Sequence, residues 1–338
     1  MGYTVAIVGA TGAVGQQMLA VLEERDLPID RLVPLASLRS AGQTITFRGE
    51  EITITELTEA SFEGVDVALF SAGGSVSETF GPVAASAGAM VIDNTSAFRM
   101  ANDVPLVVPE VNGEAALDAP RRIIANPNCS TIQMVVALAP LHREARVKRV
   151  VVSTYQAVAG AGARAIKELT EQAVAWANGS PEPPPEIFPH PMLFECLPQI
   201  GEFLPDGTSV EEEKMVEETK KIFADETIAV TATTVRVPVL VGHGEALNVE
   251  FEGPLSAERA KELLSTAPGV ELVDEPEKNR YPLARQAAGK DPVYVGRVRN
   301  DATLPHGLNL WVVADNLRKG AALNAVQIAE FLHARDAL

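Results

Sequence analysis

Through the first third of the chain, short apolar runs rich in β-branched residues alternate with stretches whose apolar positions recur at helical spacing. Residues 3–8 form the first such run. It stops at Gly9, and residues 14–22 then read as a helix. Further short runs at 32–35, 65–70, 90–92, 106–108 and 122–125 read as strands, with helical or glycine-rich stretches between several of them. Strands that alternate with helices form βαβ units, and their parallel sheet is buried on both faces. Beyond about residue 130 the pattern changes. Residues 147–156 are a long β-like run, 163–178 and 210–223 read as helices, 228–241 is again strongly β-like, and 321–334 is a closing helix. Between them, Pro181, Pro183, Pro184, Pro185, Pro189 and Pro191 exclude a regular helix or a central strand over 179–191. That segment reads as an ordered loop, with a polyproline-II ligand as the other reading. No internal repeat is visible.

Composition sharpens this picture in four ways. At 338 residues the chain exceeds the size at which one hydrophobic core stops growing, so two domains are expected. The formal net charge of -17 argues against a nucleic-acid partner, which needs a basic face. It also means that an anionic substrate must be held by local basic residues. No apolar run approaches the roughly 20 residues that span a bilayer, and the apolar start is too short, and lacks the basic region, for a signal peptide. Two cysteines, Cys129 and Cys196, make no disulfide framework in a chain of this length, so a reducing cytoplasm is the expected home.

The segment from Gly9 to Gly15 lies between a strand and a helix. Its glycines, Gly9, Gly12 and Gly15, follow a G-x-x-G-x-x-G spacing, a variant of the dinucleotide loop. Glycines let the backbone turn tightly beside a pyrophosphate, while the free N–H groups of the helix start, here near Thr11, Ala13 and Val14, attract its charge. An NAD enzyme usually ends its second strand with an acid that holds the ribose 2′-hydroxyl. Here the corresponding stretch offers Ser37, Arg39 and Ser40, a guanidinium and two hydroxyls suited to a 2′-phosphate, so NADP is expected over NAD.

Residues 123–125 form a strand and 131–138 a helix, with Asn126-Pro127-Asn128-Cys129-Ser130 between them. Cys129 therefore falls at a helix start, where the dipole favours the reactive thiolate and backbone N–H groups can hold an oxyanion. A lone cysteine is usually a small core residue, but its flanks here are polar turn formers. Cys196, between Glu195 and Leu197, lacks that context and reads as structural. No His/Cys/Asp cluster has metal-ligand spacing, so no metal is expected.

Together, the Gly9 loop and the Asn126–Thr131 hexapeptide closely resemble those of the aspartate-β-semialdehyde dehydrogenase family, and the resemblance runs over nearly the whole chain. It implies an α/β fold: an N-terminal Rossmann-type parallel sheet (1–128 plus 316–338) and a second α/β, α+β-like catalytic and dimerisation domain (129–315) that builds a homodimer. It implies a reaction in which a cysteine thiolate, here Cys129, displaces phosphate from β-aspartyl phosphate, and NADPH reduces the thioester to the aldehyde. This step serves lysine, methionine and threonine biosynthesis. Gln156 would orient the acyl group, and an uncharged carboxamide suits that role. Arg236 would grip the substrate carboxylate in a two-pronged pair. His243 would move the proton, its ordinary pKa lying near working pH. Strict strand alternation sets positions 236 and 243 on opposite faces, an objection that Gly242 and Gly244 remove by letting the chain bend. Arg99 and Lys214 match phosphate-binding positions, Glu211 the holder of the amino group, and Asn128 a further substrate contact. Ser71, Gly73, Ala159, Gly160 and Asn316 match cofactor contacts.

Three other readings are open to residues of this kind. Reduction of an N-acyl-γ-glutamyl phosphate uses the same thioester logic, but that family has glycine where this chain has Asn128. A glyceraldehyde-phosphate-type dehydrogenase would carry its histidine much nearer the cysteine. A dinucleotide-sensing regulator would have no reason to keep Cys129, Gln156, Arg236 and His243 together.

Overall fold

The structure is a computed structural model that describes residues 2–338. The chain divides into two compact units, one of Met1–Asn128 with Ala321–Leu338 and the other of Cys129–Gly320. The five residues 316–320 lie with the second unit. Asn316 accepts the Gly242 N–H there, and Arg318 is paired with Asp291 at 2.6 Å.

In the first unit, β1 (Tyr3–Val8), β2 (Ile29–Ala36), β5 (Thr55–Glu56), β6 (Val67–Phe70), β7 (Met90–Asp93) and β8 (Ile123–Ala125) form one sheet; β3 (Thr44–Phe47) and β4 (Glu50–Thr53) make a separate hairpin. The sheet order is β5-β2-β1-β6-β7-β8, and every pairing is parallel. Val5, Ile7, Val67, Leu69, Val91 and Ile92 are fully buried, as strands covered on both faces must be. The strand expected at 106–108 does not form; only Leu106 bridges to Ala125. Pro105 lacks an N–H and Pro109 opens a short helix, α3 (Pro109–Asn112), which leaves too little chain for a ladder. Helix α1 (Ala13–Glu24) follows β1 and α2 (Gly74–Ser86) follows β6. The strand order reverses between β1 and β6, the position at which doubly wound sheets bind their ligands.

The second unit opens with α4 (Cys129–Ala145) and carries α5 (Ala163–Ala177), α6 (Val210–Phe223), α7 (Ala257–Ser265) and the short α8 (Ala284–Ala287). Its sheet holds β9 (Val147–Gln156), β10 (Ala229–Arg236), β11 (His243–Phe251), β12 (Val270–Leu272), β13 (Val293–Asn300) and β14 (Gly307–Ala314), ordered β10-β9-β11-β14-β13-β12. It is mixed: β9 runs parallel to β10 and β12 to β13, while the other neighbours are antiparallel. A buried α4, with Ile132, Met134, Val135 and Leu138 at most 1% exposed, packs on this sheet. The β-like run expected to extend to 241 ends at Arg236, because Pro238 cannot donate to a ladder. Arg236 and His243 therefore sit on different strands, and the alternation objection does not arise.

The chain returns to the first unit with α9 (Leu323–His333), which packs against α1. Leu323, Val326, Ile328 and Leu332 are fully buried there, each contributing roughly 1.5–3 kcal/mol. The closing helix expected from 321 starts at Leu323, after a wide turn over Arg318–Ala322.

Candidate active site

The first unit offers a site built from backbone. Gly9 ends β1 at φ +93°, and a Cβ there would stand 3.0 Å from the Ala72 nitrogen. A Cβ on Gly15 would fall 2.2 Å from the Gly9 carbonyl oxygen, so only glycine lets α1 start this close to the loop. Gly12 caps α1 and Gly73, at φ +99°, caps α2; neither cap carries a side-chain hydrogen bond, and neither helix has an acid in its first turn. Thr11, Gly12 and Gly73 are exposed, and Ser71 is tied through N–H and Oγ to the Val8 carbonyl (2.8 and 3.3 Å). Two uncapped helix starts at the switch point present N–H groups and positive partial charge, as a pyrophosphate requires. These residues fit a dinucleotide. Beyond β2, Ser37 and Arg39 are exposed in a turn closed by the Ser40 N–H on the Ser37 carbonyl at 2.8 Å. The Arg39 guanidinium has no ion-pair partner among the described residues.

Arg99 and Asn128 also belong to the first unit. Arg99 is buried, with Nε donating to the Asn126 carbonyl and Nη2 to the Asn94 carbonyl, both at 2.9 Å. Asn126 is held in turn by Asn94 (2.7 Å) and Asn324 (2.7 Å). Beneath them Asp93 receives hydrogen bonds from Ser77 (2.7 Å) and Thr95 (2.8 Å), and burial nonetheless raises its pKa.

The second unit offers a site built from side chains at strand ends. Gln156 closes β9, Arg236 closes β10 directly opposite it, and His243 opens β11 opposite Ala314, the last residue of β14. Because β11 and β14 run antiparallel, four neighbouring strands bring their functional ends to one edge. Ala157, one residue past β9, ties them: its N–H donates to His243 Nδ1 at 3.0 Å, and its carbonyl accepts from Arg236 Nη1 at 2.8 Å. His243 is therefore the tautomer that carries its proton on Nε2, and that atom is buried with no hydrogen-bond partner. Burial and then the Arg236 charge push the His243 pKa down to about 3, so its ring is neutral at neutral pH. Arg236, also buried, is lowered from its ordinary value by desolvation, against the favourable charges of Glu211 and Cys129. Gly160 lies against both: a Cβ there would stand 2.9 Å from Arg236 Nη1 and 3.4 Å from His243 Nε2.

Cys129 is the first residue of α4 and is half-buried. The next residue, Ser130, accepts a hydrogen bond from Gln156 Nε2, which also reaches Glu211 Oε1 at 3.1 Å. Glu211 sits in the first turn of α6, whose start is fixed by a capping box between Ser209 and Glu212. Read locally, Glu211 and Lys214 begin a solvated helix; the structure buries Glu211 instead and pairs it with Lys214 at 3.3 Å. Asn316, buried, accepts from the Gly242 N–H at 2.9 Å, while its own Nδ2 has no partner. Three contributors had no signal in sequence reasoning. The backbone of Ala157 acts without its side chain. Gly320 is required because a Cβ would stand 2.8 Å from Cys129 Cβ. Ser130 and its bond to Gln156 depend on pairing across 26 residues.

Models of one protein family match parts of both units. Residues 4–119 match the NAD-binding domain of semialdehyde dehydrogenases, and residues 138–319 match their dimerisation domain. An aspartate-semialdehyde dehydrogenase of Aquifex aeolicus is 57% identical over 98% of both chains, and one of Bacillus subtilis is 52% identical over 98% of this chain and 97% of its own. A crystal structure of aspartate semialdehyde dehydrogenase II from Vibrio cholerae, complexed with ASA, aligns over the full length of both chains with a TM-score of 0.97 at 50% identity. One from Candida albicans, with NADP, has a TM-score of 0.79 at 25% identity over all of both chains. The chain belongs to the aspartate-semialdehyde dehydrogenase family and is an oxidoreductase of amino-acid biosynthesis. The α/β fold with two unlike domains, expected from the sequence, is the one found.

Proposed function

We propose that this enzyme interconverts L-4-aspartyl phosphate and L-aspartate 4-semialdehyde through a thioester on Cys129, with NADP(H) as its dinucleotide. The observation that carries this reading is that the backbone of Ala157, next in the chain to Gln156, joins Arg236 and His243 through its carbonyl and its N–H, in the unit that opens with Cys129. In the biosynthetic direction the Cys129 thiolate attacks the acyl carbon and phosphate leaves with the bonding electrons, giving the thioester. The start of α4 and the Arg236 charge favour the thiolate, and N–H groups at that start can hold the oxyanion. The nicotinamide, when bound, supplies the hydride that reduces the acyl carbon. Collapse of the resulting tetrahedral adduct frees the aldehyde and the thiolate.

Each neighbour has a part. Gln156, pinned by Ser130 and Glu211, orients the acyl oxygen. Neutral His243, with Nδ1 already occupied, exchanges a proton at Nε2. Arg236 binds the substrate carboxylate, Glu211 its ammonium group, and Arg99 and Lys214 the phosphate end, with Asn128 a further substrate contact. The dinucleotide is held by Gly9, Thr11, Gly12, Ala13 and Val14, by Ser71 and Gly73, and by Ala159, Gly160 and Asn316. The buried, unpartnered Nδ2 of Asn316 supports a carboxamide contact there. Ser37, Arg39 and Ser40 select the 2′-phosphate, and the uncommitted guanidinium of Arg39 supports that choice. We place the enzyme in lysine, methionine and threonine biosynthesis, as a cytoplasmic homodimer; no helix among the described residues is long and apolar enough to cross a membrane.

The test is an assay of aspartate semialdehyde with phosphate and NADP, following NADPH absorbance, for the wild type and Cys129→Ala. Turnover by the wild type alone is expected. A wild type inactive across pH would overturn the substrate, and an active Cys129→Ala variant would overturn the thioester.

A further inference from the structure

Beneath the strand-end site lies a polar pair to which this mechanism gives no task. Glu245 is fully buried on β11, and Gln133, 1% exposed, is on α4. The Gln133 carboxamide is the group that reaches the Glu245 carboxyl, and the two meet outside good hydrogen-bond geometry, with no other partner for either carboxylate oxygen or either amide atom. Burying an acid and an amide whose only partner is an ill-aligned one is costly, and two apolar side chains would fill such a site more cheaply. Burial raises the pKa of Glu245 well above the ordinary carboxylate range, which favours the neutral form of its carboxyl. A neutral carboxyl can both donate to and accept from a carboxamide. The terminal torsions of both side chains are soft, so a rotation joins them at little cost.

Their positions give the pair a purpose. Gln133 lies four residues after Cys129 on α4, one turn along the same helix face, about 6 Å away. Glu245 lies two residues after His243 on β11, on the same face of the sheet and about 6.6 Å along the strand. Helix and strand are packed against each other. The two steps are almost equal in length, so the contact between Gln133 and Glu245 sets where Cys129 stands relative to His243.

We propose that Glu245 and Gln133 are a positioning pair that holds the nucleophile end of α4 in register with the His243 end of β11. Fixing this register matters because a misplacement of about 1 Å between reacting groups can cost about 100-fold in rate. The proposal rests on the functional reading above for its consequence in turnover, while Cys129 alkylation reads the register directly.

The experiment compares Glu245→Gln, Glu245→Leu, Gln133→Leu and the double leucine variant. Turnover, the rate of Cys129 alkylation by iodoacetamide, and the thermal midpoint are followed for each. Glu245→Gln, which keeps a neutral hydrogen-bonding group, is expected to stay within about threefold of wild-type kcat. Each leucine variant is expected to lose about 10- to 100-fold in kcat with KM nearly unchanged and to change its alkylation rate, while the double leucine variant, which strands no polar partner, is expected to melt no lower than the wild type. The double variant should be no slower than the worse single one, because both remove the same contact. Leucine variants with wild-type kcat and alkylation would overturn the proposal. So would a double leucine variant whose thermal midpoint falls in step with its activity, the signature of a merely structural role, or a Glu245→Gln variant as inactive as the leucine variants, which would mean that an ionisable carboxyl is needed. Should Glu245→Leu fail to fold, Gln133→Leu reads the same three quantities. A wild type without turnover would sink the functional reading and leave the alkylation comparison standing.

Discussion

The glycine loop of the first unit and the strand-end site of the second solve their tasks with opposite materials. Around Gly9 the functional atoms are backbone N–H groups, and the side chains matter by being absent. Around Ala157 the functional atoms belong to Gln156, Arg236 and His243, long side chains each delivered by a different strand and each buried. An exposed backbone site tolerates the loss of any one contact, since several N–H groups share one anion. A buried side-chain site does not, since removing one partner leaves another polar group unsatisfied. The comparison predicts steep losses in the second unit and graded ones in the first.

The steepest is at Arg236. Replacing it by leucine should cut kcat/KM by about 10²- to 10³-fold by removing a buried charge-assisted pair, and lysine should restore little because it lacks the planar fork. Steady-state kinetics of both variants checks this; a lysine variant near wild type would show that charge alone is needed. Next is Gly15→Val in the loop, where side-chain atoms must displace the Gly9 carbonyl. It should lower stability by about 1–3 kcal/mol and raise KM for the dinucleotide, measured by denaturant unfolding and kinetics.

His243 links burial to pH. Its folded pKa of about 3 lies below the ordinary 6.5, so between these values the unfolded chain binds a proton that the folded one refuses. Its contribution to stability is complete above pH 6.5 and is lost as pH falls towards 3, at up to about 1.4 kcal/mol per pH unit. Unfolding followed from pH 7 to pH 4 should therefore be less steeply pH-dependent in His243→Asn than in the wild type; equal slopes would place the wild-type proton elsewhere. The smallest effect is expected at exposed Arg39, where alanine should raise KM for NADP about tenfold and leave KM for NAD unchanged. Equal changes for both dinucleotides would remove its role in selecting the phosphate.

The same contrast explains what could be read from the sequence. The loop was legible because its signal is local: three glycines spaced between an apolar run and a helix, where each glycine meets a steric need of its neighbours. The position of Cys129 at the start of α4 was legible for the same reason. The strand-end site was legible only through family resemblance, since Gln156, Glu211, Arg236 and His243 are spread over 88 positions and meet through strand pairings that no local pattern encodes. Strands β11, β13 and β14 passed unnoticed for that reason: their charged and polar residues, such as Glu245, Arg297 and Asn309, interrupt the apolar pattern, and long-range antiparallel pairing stabilises them. Ala157 could not have been singled out at all, because it works through its backbone N–H and carbonyl.

The central claim is that Cys129 carries the acyl group. Mixing the enzyme with aspartate semialdehyde and NADP in the absence of phosphate, quenching in acid and mapping the digest by mass spectrometry tests it directly. The account predicts a burst of up to one equivalent of NADPH, an aspartyl adduct on the peptide that contains Cys129, and release of that adduct when phosphate is added before the quench. A full burst with Cys129 unmodified, or a burst undiminished in Cys129→Ala, would contradict it.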